Sequence, residues 1–263
     1  MNQNFYEAVE DNPIIAAVKS MEDVEECCKH DDIRVIFILF GDVCSIGSIV
    51  KTIRDAGKIA MVHMDLISGL SPKEIAVEFI KEQTEADGII STKPSLIKKA
   101  KEMSIPVINE VEVAYNLFEP NIDIIAITGS NGKTTTTTMT YEVMKKAGLP
   151  VHLGGNIGYP VSSLVKKAKS GDKLVLEISD HQLVDTDSFH PHVAALLNLS
   201  EVHLDFHGTY DVYKACKKKI FKNQTSEDIA ILNLESEDVM NLTDDILSTK
   251  LYFSSKRKSD CYI

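Results

Sequence analysis

Residues 124–135 read Ile124-Ile125-Ala126-Ile127-Thr128-Gly129-Ser130-Asn131-Gly132-Lys133-Thr134-Thr135. An apolar, β-branched run leads into a turn with two glycines, and Lys-Thr-Thr opens the segment beyond it. Glycine at 129 and 132 permits positive φ and a close approach of backbone to a ligand. Successive N–H groups ahead of a helix N-terminus make a cradle for phosphate oxygens. In such a cradle Lys133 would neutralise the β- and γ-phosphates of a nucleotide, and the Thr134 hydroxyl would bind Mg²⁺. The spacing is GxxGK[ST]. The longer GxxxxGK[ST] form would want glycine where Ile127 stands. Gly129, Ser130, Asn131, Gly132, Lys133, Thr134 and Thr135 are therefore the expected nucleotide-binding segment.

Outward from this loop, short apolar runs alternate with helical patterns. Downstream, strands are expected at 122–128, 151–153, 173–179, 193–199, 228–234 and 250–253, with helices at 133–147, 160–168 and 210–223. Upstream, strands are expected at 14–18, 35–40, 58–64 and 88–91, with helices at 21–29, 46–56, 72–83 and 94–103. Runs such as Val35-Ile36-Phe37-Ile38-Leu39-Phe40 suit strands buried on both faces. Repeated strand–helix units imply parallel sheets with right-handed crossovers. Glu177 closes one such strand, at the edge where open α/β sheets carry functional groups, and a carboxylate is a hard donor suited to Mg²⁺.

Composition limits the alternatives. The chain has 263 residues, 44% of them hydrophobic and 25% charged, with a net charge of −11. That balance is globular, and no apolar run is long enough to span a membrane. The acidic balance counts against nucleic-acid binding. Five cysteines without a CxxC pair suggest neither a disulfide framework nor a zinc knuckle, and a reducing, cytoplasmic setting is expected.

Further segments follow the loop in order: Gly154-Gly155-Asn156-Ile157-Gly158, Leu176-Glu177-Ile178-Ser179-Asp180-His181-Gln182-Leu183, Asn198 through Gly208 with His203-Leu204-Asp205, and Tyr213-Lys214-Ala215-Cys216-Lys217. Together with the loop they resemble the Mur ligase family, and within it the ligases that add D-glutamate, over about residues 104–263. The resemblance implies an ATP-dependent amide ligase of peptidoglycan precursor synthesis. Such an enzyme joins D-glutamate to UDP-N-acetylmuramoyl-L-alanine through an acyl phosphate, with ATP and Mg²⁺ as cofactors. It assigns catalytic roles to Lys133, His203 and Lys217, and substrate contacts to Asn156 and Ser179. Thr134, Glu177, His203 and Lys217 would hold metal, with Lys217 acting as a carbamate. Asp180-His181 departs from the family's usual Ser-Phe. The family's later adenine-contact motif and its C-terminal domain find no counterpart before Ile263, so the ATP domain is expected to be truncated and inadequate for turnover.

The first hundred residues are similar to another family. Asn12 through Val18, Val62 through Leu70 and Ala86 through Thr92 resemble glycerol-uptake operon antiterminators, over about residues 8–103. That resemblance implies half of a TIM-barrel-like (βα) unit, associated with glycerol 3-phosphate and messenger RNA. The expected architecture is thus α/β: an antiterminator-like half barrel over 1–103, then a mostly parallel, P-loop-type Mur ligase central domain over 104–263. The competing expectations are an antiterminator-type RNA-binding regulator and a hybrid fragment without function.

Overall fold

A computed structural model describes residues 3–262 apart from Pro13, Pro72, Pro106 and Ile108. The chain divides into two compact units, residues 1–107 and 108–263.

The N-terminal unit runs α1 (Gln3–Asp11), β1 (Ile15–Val18), α2 (Met21–Cys28), β2 (Val35–Ile38), α3 (Ile46–Asp55), β3 (Ile59–His63), α4 (Ile75–Gln83), β4 (Gly88–Ile90) and α5 (Pro94–Glu102). Its four strands pair in parallel in the order β1-β2-β3-β4. The amphipathic logic is plainest in α3. Ile46, Ile49, Val50 and Ile53 recur at helical spacing, and all four are buried, because that stripe faces the sheet. The helix expected from Pro72 starts at Ile75, and Pro72 itself lies outside the described residues. The polar start of the chain, read without structure in the sequence, forms α1.

The C-terminal unit holds a seven-stranded parallel sheet. Its elements are α6 (Glu110–Leu117), β5 (Asp123–Thr128), α7 (Lys133–Lys146), β6 (Val151–Gly155), β7 (Lys173–Glu177), α8 (Asp180–Leu183), β8 (Val193–Leu196), α9 (Leu204–His207), α10 (Tyr210–Lys218), β9 (Ile229–Asn233), α11 (Glu237–Leu242), β10 (Thr249–Ser254) and β11 (Cys261–Tyr262). The strand order is β11-β10-β9-β8-β5-β7-β6. Several expected elements differ in extent, among them these. The helix at 160–168 is only a 3-10 turn at Val161–Leu164. The strand from Val193 stops at Leu196. The last helix ends as α-helix at Lys218 and continues as a 3-10 turn over Lys219–Phe221.

Helix α6 was not anticipated. Asn109 caps it by accepting from the Glu112 amide at 3.0 Å. The buried Glu112 carboxylate then accepts from the amides of Asp187, Ser188 and Phe189 at 3.0, 2.6 and 3.2 Å. One side chain thus satisfies three backbone donors of the loop before β8, which would otherwise be costly to bury.

Candidate active site

The site gathers at the C-terminal ends of the central strands. β5 ends at Thr128, and the next four residues turn the chain into α7. Gly129 has φ +152°, and a Cβ there would lie 3.1 Å from Leu197 Cβ and 3.3 Å from the Asn198 amide nitrogen. Gly132 is left-handed at φ +81° and stands where a helix is normally capped. It brings no side chain to the first-turn amides of α7, which leaves them to an external anion.

Asn198, beyond β8, clasps the loop. Its Oδ1 accepts from the Asn131 amide at 2.8 Å, its Nδ2 donates to Asn131 O at 3.0 Å, and its carbonyl accepts from the Ser130 amide at 3.0 Å. The Ser130 hydroxyl lies 2.8 Å from Tyr213 Oη and accepts from the Ser200 amide at 2.9 Å. Lys133 folds back over the turn, and its Nζ donates to Gly129 O at 2.8 Å and Ser130 O at 3.0 Å. A cation held this way faces whatever the loop encloses.

Beside the loop, the Thr134 hydroxyl donates to Glu177 Oε2 at 2.7 Å, and Asn156 Nδ2 donates to Glu177 Oε1 at 2.9 Å. β7 lies between β5 and β6, so its last residue, Glu177, is set between the phosphate-type loop and the Gly155-Asn156 turn. Glu177 is buried. Two hard oxygen donors at hydrogen-bond distance, one anionic and oriented by an amide, fit Mg²⁺.

A second cluster forms around Asp180, only three residues on. Its Oδ2 accepts from His207 Nε2 at 2.8 Å, with His181 Nδ1 at 3.3 Å and His203 Nδ1 at 3.4 Å. Its Oδ1 lies 3.4 Å from Lys217 Nζ. Lys217 is completely buried, and its ammonium also donates to Thr128 Oγ1 at 3.0 Å, at the root of the loop. Burial pulls the Lys217 amine down to about 8, against the pull of Asp180 in the other direction. Burial pushes the Asp180 carboxyl up, but donation from His207 and the charge of Lys217 outweigh it and hold the group at about 2. His203 sits left-handed at φ 57°, a conformation costing roughly 1–2 kcal/mol outside glycine.

The expected residues therefore fall into two adjoining groups. Thr134, Glu177 and Asn156 meet directly, and His203 and Lys217 meet through Asp180. Ser179, expected at substrate, caps α8: its Oγ accepts from the Gln182 amide at 3.3 Å, while its own amide donates to Gln182 Oε1 at 3.0 Å. Asp180 was passed over in the sequence, and so was the clasp of Asn198. The Ser-x-x-Gln spacing of a capping box was the available signal for α8, and hence for an Asp at its first turn.

A phosphate-type loop at the end of a central parallel strand, flanked by a carboxylate from the neighbouring strand, defines a nucleotide-binding α/β domain. The Mur ligase middle domain matches residues 127–262 as a family, and the chain belongs to the Mur ligase family. A different family, the glycerol-3-phosphate responsive antiterminators, matches residues 14–114. Among curated relatives, the UDP-N-acetylmuramoylalanine–D-glutamate ligase of Geobacillus kaustophilus is 41% identical over 203 residues, covering 77% of this chain and 44% of the relative. That of Lactococcus lactis subsp. lactis is 42% identical over 193 residues, covering 73% and 42%. The chain spans less than half the length of these relatives. Either match is longer than residues 104–263 alone can accommodate, so the similarity continues into the N-terminal unit. MurF from Acinetobacter baumannii shares the fold with a TM-score of 0.51 at 16% identity, covering 94% of this chain and 49% of that one. No helix among the described residues is long and apolar enough to cross a membrane.

Proposed function

We propose that the C-terminal unit binds Mg²⁺-ATP and serves an ATP-dependent ligase of peptidoglycan precursor synthesis, adding D-glutamate to UDP-N-acetylmuramoyl-L-alanine. The observation that carries this reading is the Thr134–Glu177–Asn156 chain of hydrogen bonds at the mouth of the Gly129–Lys133 loop. The similarity to the D-glutamate ligases supports the choice of substrate.

The chemistry assigns each group a task. A carboxylate oxygen of the muramoyl peptide attacks the γ-phosphorus of ATP, and ADP leaves. The amine of D-glutamate attacks the acyl phosphate carbon, phosphate leaves, and the nitrogen loses a proton. Lys133 and the first-turn amides of α7 hold the phosphates and spread the charge that develops on the transferring group. Thr134 and Glu177 would hold Mg²⁺, which neutralises phosphate charge when bound. Asn156 fixes the rotamer of Glu177 and reaches toward substrate. Lys217 is read as the lysine that takes up CO₂ as a carbamate, a reaction of its neutral amine that burial favours. His203 lies in the same cluster.

The test is nucleotide titration of the full chain in Mg²⁺. Saturable binding that falls at least tenfold in Lys133→Ala, with an unchanged circular dichroism spectrum, is expected. Equal binding by both proteins refutes the loop assignment. ADP release that depends on UDP-N-acetylmuramoyl-L-alanine supports the substrate, and indifference to it removes that part of the reading.

For the N-terminal unit, a second reading is a small-phosphate site of the antiterminator kind. It is favoured by the match of the antiterminator family to residues 14–114; just beyond β3, Asp65 accepts from the Thr92 amide at 3.0 Å and lies 3.4 Å from Lys93 Nζ. His63 Nδ1, two residues earlier in sequence, is buried without a hydrogen-bond partner. Titration with glycerol 3-phosphate, followed by His63 and Lys93 resonances, tests it, and unmoved resonances at millimolar ligand refute it.

A further inference from the structure

We propose that two copies of this chain associate through their N-terminal units, β1–β4 of each copy supplying half of a closed, eight-stranded parallel barrel. The inference goes beyond the ligase reading and does not depend on it. It rests on a sheet whose connecting helices share one face, on two open strand edges, and on opposite charge in the helices beside those edges.

The four strands lie in sequence order and all run parallel. Right-handed crossovers then put every connecting helix on the same face. The packing agrees: Val24, Ile49, Val77 and Leu96, one from each of α2 to α5, join a single core cluster with Ile36 and Val62 of the sheet. Alternation turns the intervening residues to the other face. There Ala17, Phe37, Met61 and Gly88 form one row across the four strands. The row is apolar, yet Ala17 is exposed and Phe37 only half-buried. Helix α1 meets β2, but its end is tied to the amino end of that strand, through Asp11 with Arg34 and Asn12 with the Asp32 carbonyl. Among the described residues, β1 and β4 each have one strand neighbour, so each presents unpaired backbone groups at an edge. Eight parallel strands close into a barrel that removes such edges and fills its interior with side chains from the inward faces. Four strands need one more copy. A two-fold axis along the barrel satisfies both edges at once, with β4 of each copy against β1 of the other.

Charge selects the same arrangement. In such a barrel α5, which follows β4, lies beside α2 of the other copy, which follows β1. Helix α2 carries Glu22, Asp23, Glu25 and Glu26, all exposed, and no Lys or Arg. Helix α5 carries Lys98, Lys99 and Lys101 against the single acid Glu102. Lys99 pairs with Glu78 of α4 and so marks the flank of α5 turned toward its own neighbour. Ile97 and Lys101, each two residues from Lys99, lie about 200° round the helix from it, on the flank that a second copy would meet. An acidic helix and a basic helix thus stand at opposite ends of one sheet. Joining β4 to β1 brings unlike charges together twice, whereas joining like edges brings like charges together. Charge arranged this way chooses partner and orientation.

The experiment is sedimentation velocity of the full chain over a concentration series reaching the high micromolar range. A species of twice the chain mass is expected. Ala17→Lys tests the face. Ala17 is exposed in the single chain, so the variant should melt as the parent does. Closure would bury the new charge, so the dimer should weaken roughly tenfold or more. Charge exchange tests the helices. Lys98→Glu with Lys101→Glu in one variant, and Glu22→Lys with Glu26→Lys in another, should each weaken self-association roughly tenfold or more. Mixed together, the two should form a one-to-one heterodimer, because both contacts of the mixed pair then join unlike charges. Lys51→Ala, on α3 between the two ends, should dimerise as the parent does. A single-chain mass at every concentration overturns the proposal. So does a dimer indifferent to Ala17→Lys, and so do charge variants that never lose the dimer alone or never regain it when mixed. A lowered melting temperature in Ala17→Lys without any dimer to lose means that the face is covered within the chain, which overturns it as well. Nucleotide titration should give the same result in all these variants, so failure here is distinguishable from failure of the nucleotide reading.

Discussion

Gly155→Ala should damage the fold and the site together. Gly155 ends β6 at φ +104°, and a Cβ built there lies 2.1 Å from the carbonyl oxygen of Glu177 and 3.0 Å from its carbonyl carbon and amide nitrogen. All three are backbone atoms of the neighbouring strand, so no rotamer change relieves the clash. A positive φ costs an alanine roughly 1–3 kcal/mol. Forcing the strands apart adds about 1–3 kcal/mol, as for an overpacked core. Gly158, three residues on, is the internal control, because it has φ +69° and nothing within 4 Å of its notional Cβ. Gly158→Ala should therefore show the backbone cost alone. In a unit of this size, about 1 kcal/mol moves Tm by roughly 2–4 °C. Gly155→Ala should thus melt roughly 4–24 °C below the parent, and Gly158→Ala roughly 2–12 °C below, with the larger drop always in Gly155→Ala. The displaced carbonyl belongs to Glu177 and accepts from the Asn156 amide at 2.8 Å, so Mg²⁺-nucleotide affinity should drop further in Gly155→Ala than in the control. Thermal melts and nucleotide titration of both variants check this. If the two variants melt within about 1 °C of one another, the reasoning from the clash is wrong.

Three further outcomes are expected. Glu177→Gln keeps its contacts with Thr134 and Asn156 but loses the charge, so the gain in nucleotide affinity on adding Mg²⁺ should shrink by ~10-fold or more, and a variant with the full Mg²⁺ effect contradicts the donor role. The Asp180 carboxyl, held at about 2 against an ordinary 3.8, contributes stability that is complete above about pH 4 and lost as pH falls through 2. Its worth is about 2 kcal/mol. The stability gap between the parent and Asp180→Asn, measured by urea unfolding, should narrow between pH 5 and pH 2.5, and a constant gap would speak against a depressed carboxyl. Cys44 and Cys261 are exposed, whereas Cys216 is buried and its thiol is pushed up to about 12 by burial. A disulfide reagent should label the first two rapidly and Cys216 only on unfolding, as peptide mapping will show.

Much of this site was legible because it is local in sequence. The run Ile124–Thr135 encodes strand, turn and helix within a dozen residues, and the glycines stand where the backbone needs them, at φ +152° and +81°. Asn198 and Asp180 were not legible in that way, since each acts on residues far along the chain: Asn198 on Asn131, and Asp180 on His203, His207 and Lys217. Lys217 is an intermediate case. Tyr213, Cys216, Lys217 and Ile220 follow the i, i+3, i+4, i+7 spacing of a buried helical face, and all four are buried. A cation on an apolar stripe is the mark of a paired or functional lysine. The helix itself looked merely basic because Lys214, Lys218 and Lys219 surround it. The strand ends at 177 and 196 came out shorter than expected because Ile178 and Leu197 continue the apolar pattern after ladder pairing has stopped.

The order of strands explains why these groups meet at all. β5 is the first strand of its sheet in sequence but lies inside it, with β7 and β6 on one side and β8, β9, β10 and β11 on the other. The chain therefore leaves β5 in one direction for β6 and β7 and later returns to lay β8 along the opposite side. At such a reversal the connections diverge, and a crevice opens beyond the carboxyl ends of the central strands. The Gly129–Gly132 turn emerges there from β5, Glu177 and Asp180 come from β7 and its extension, and Asn198 and His203 follow β8. Asn156 arrives from β6, one strand farther out, and spans the gap through its amide to Glu177. Residues as far apart as Asn131 and Asn198 are neighbours because three parallel strands end side by side. The site's geometry then depends on the register of β5 with β7 and β8, in which Ile127 pairs with Glu177 and Ala195, and Thr128 with Leu196. A slip of one residue in the β5–β7 ladder would turn every side chain on the shifted strand to the opposite face and take Glu177 away from Thr134. The all-apolar interior of these strands, buried on both faces, therefore fixes where the carboxylate stands relative to the loop.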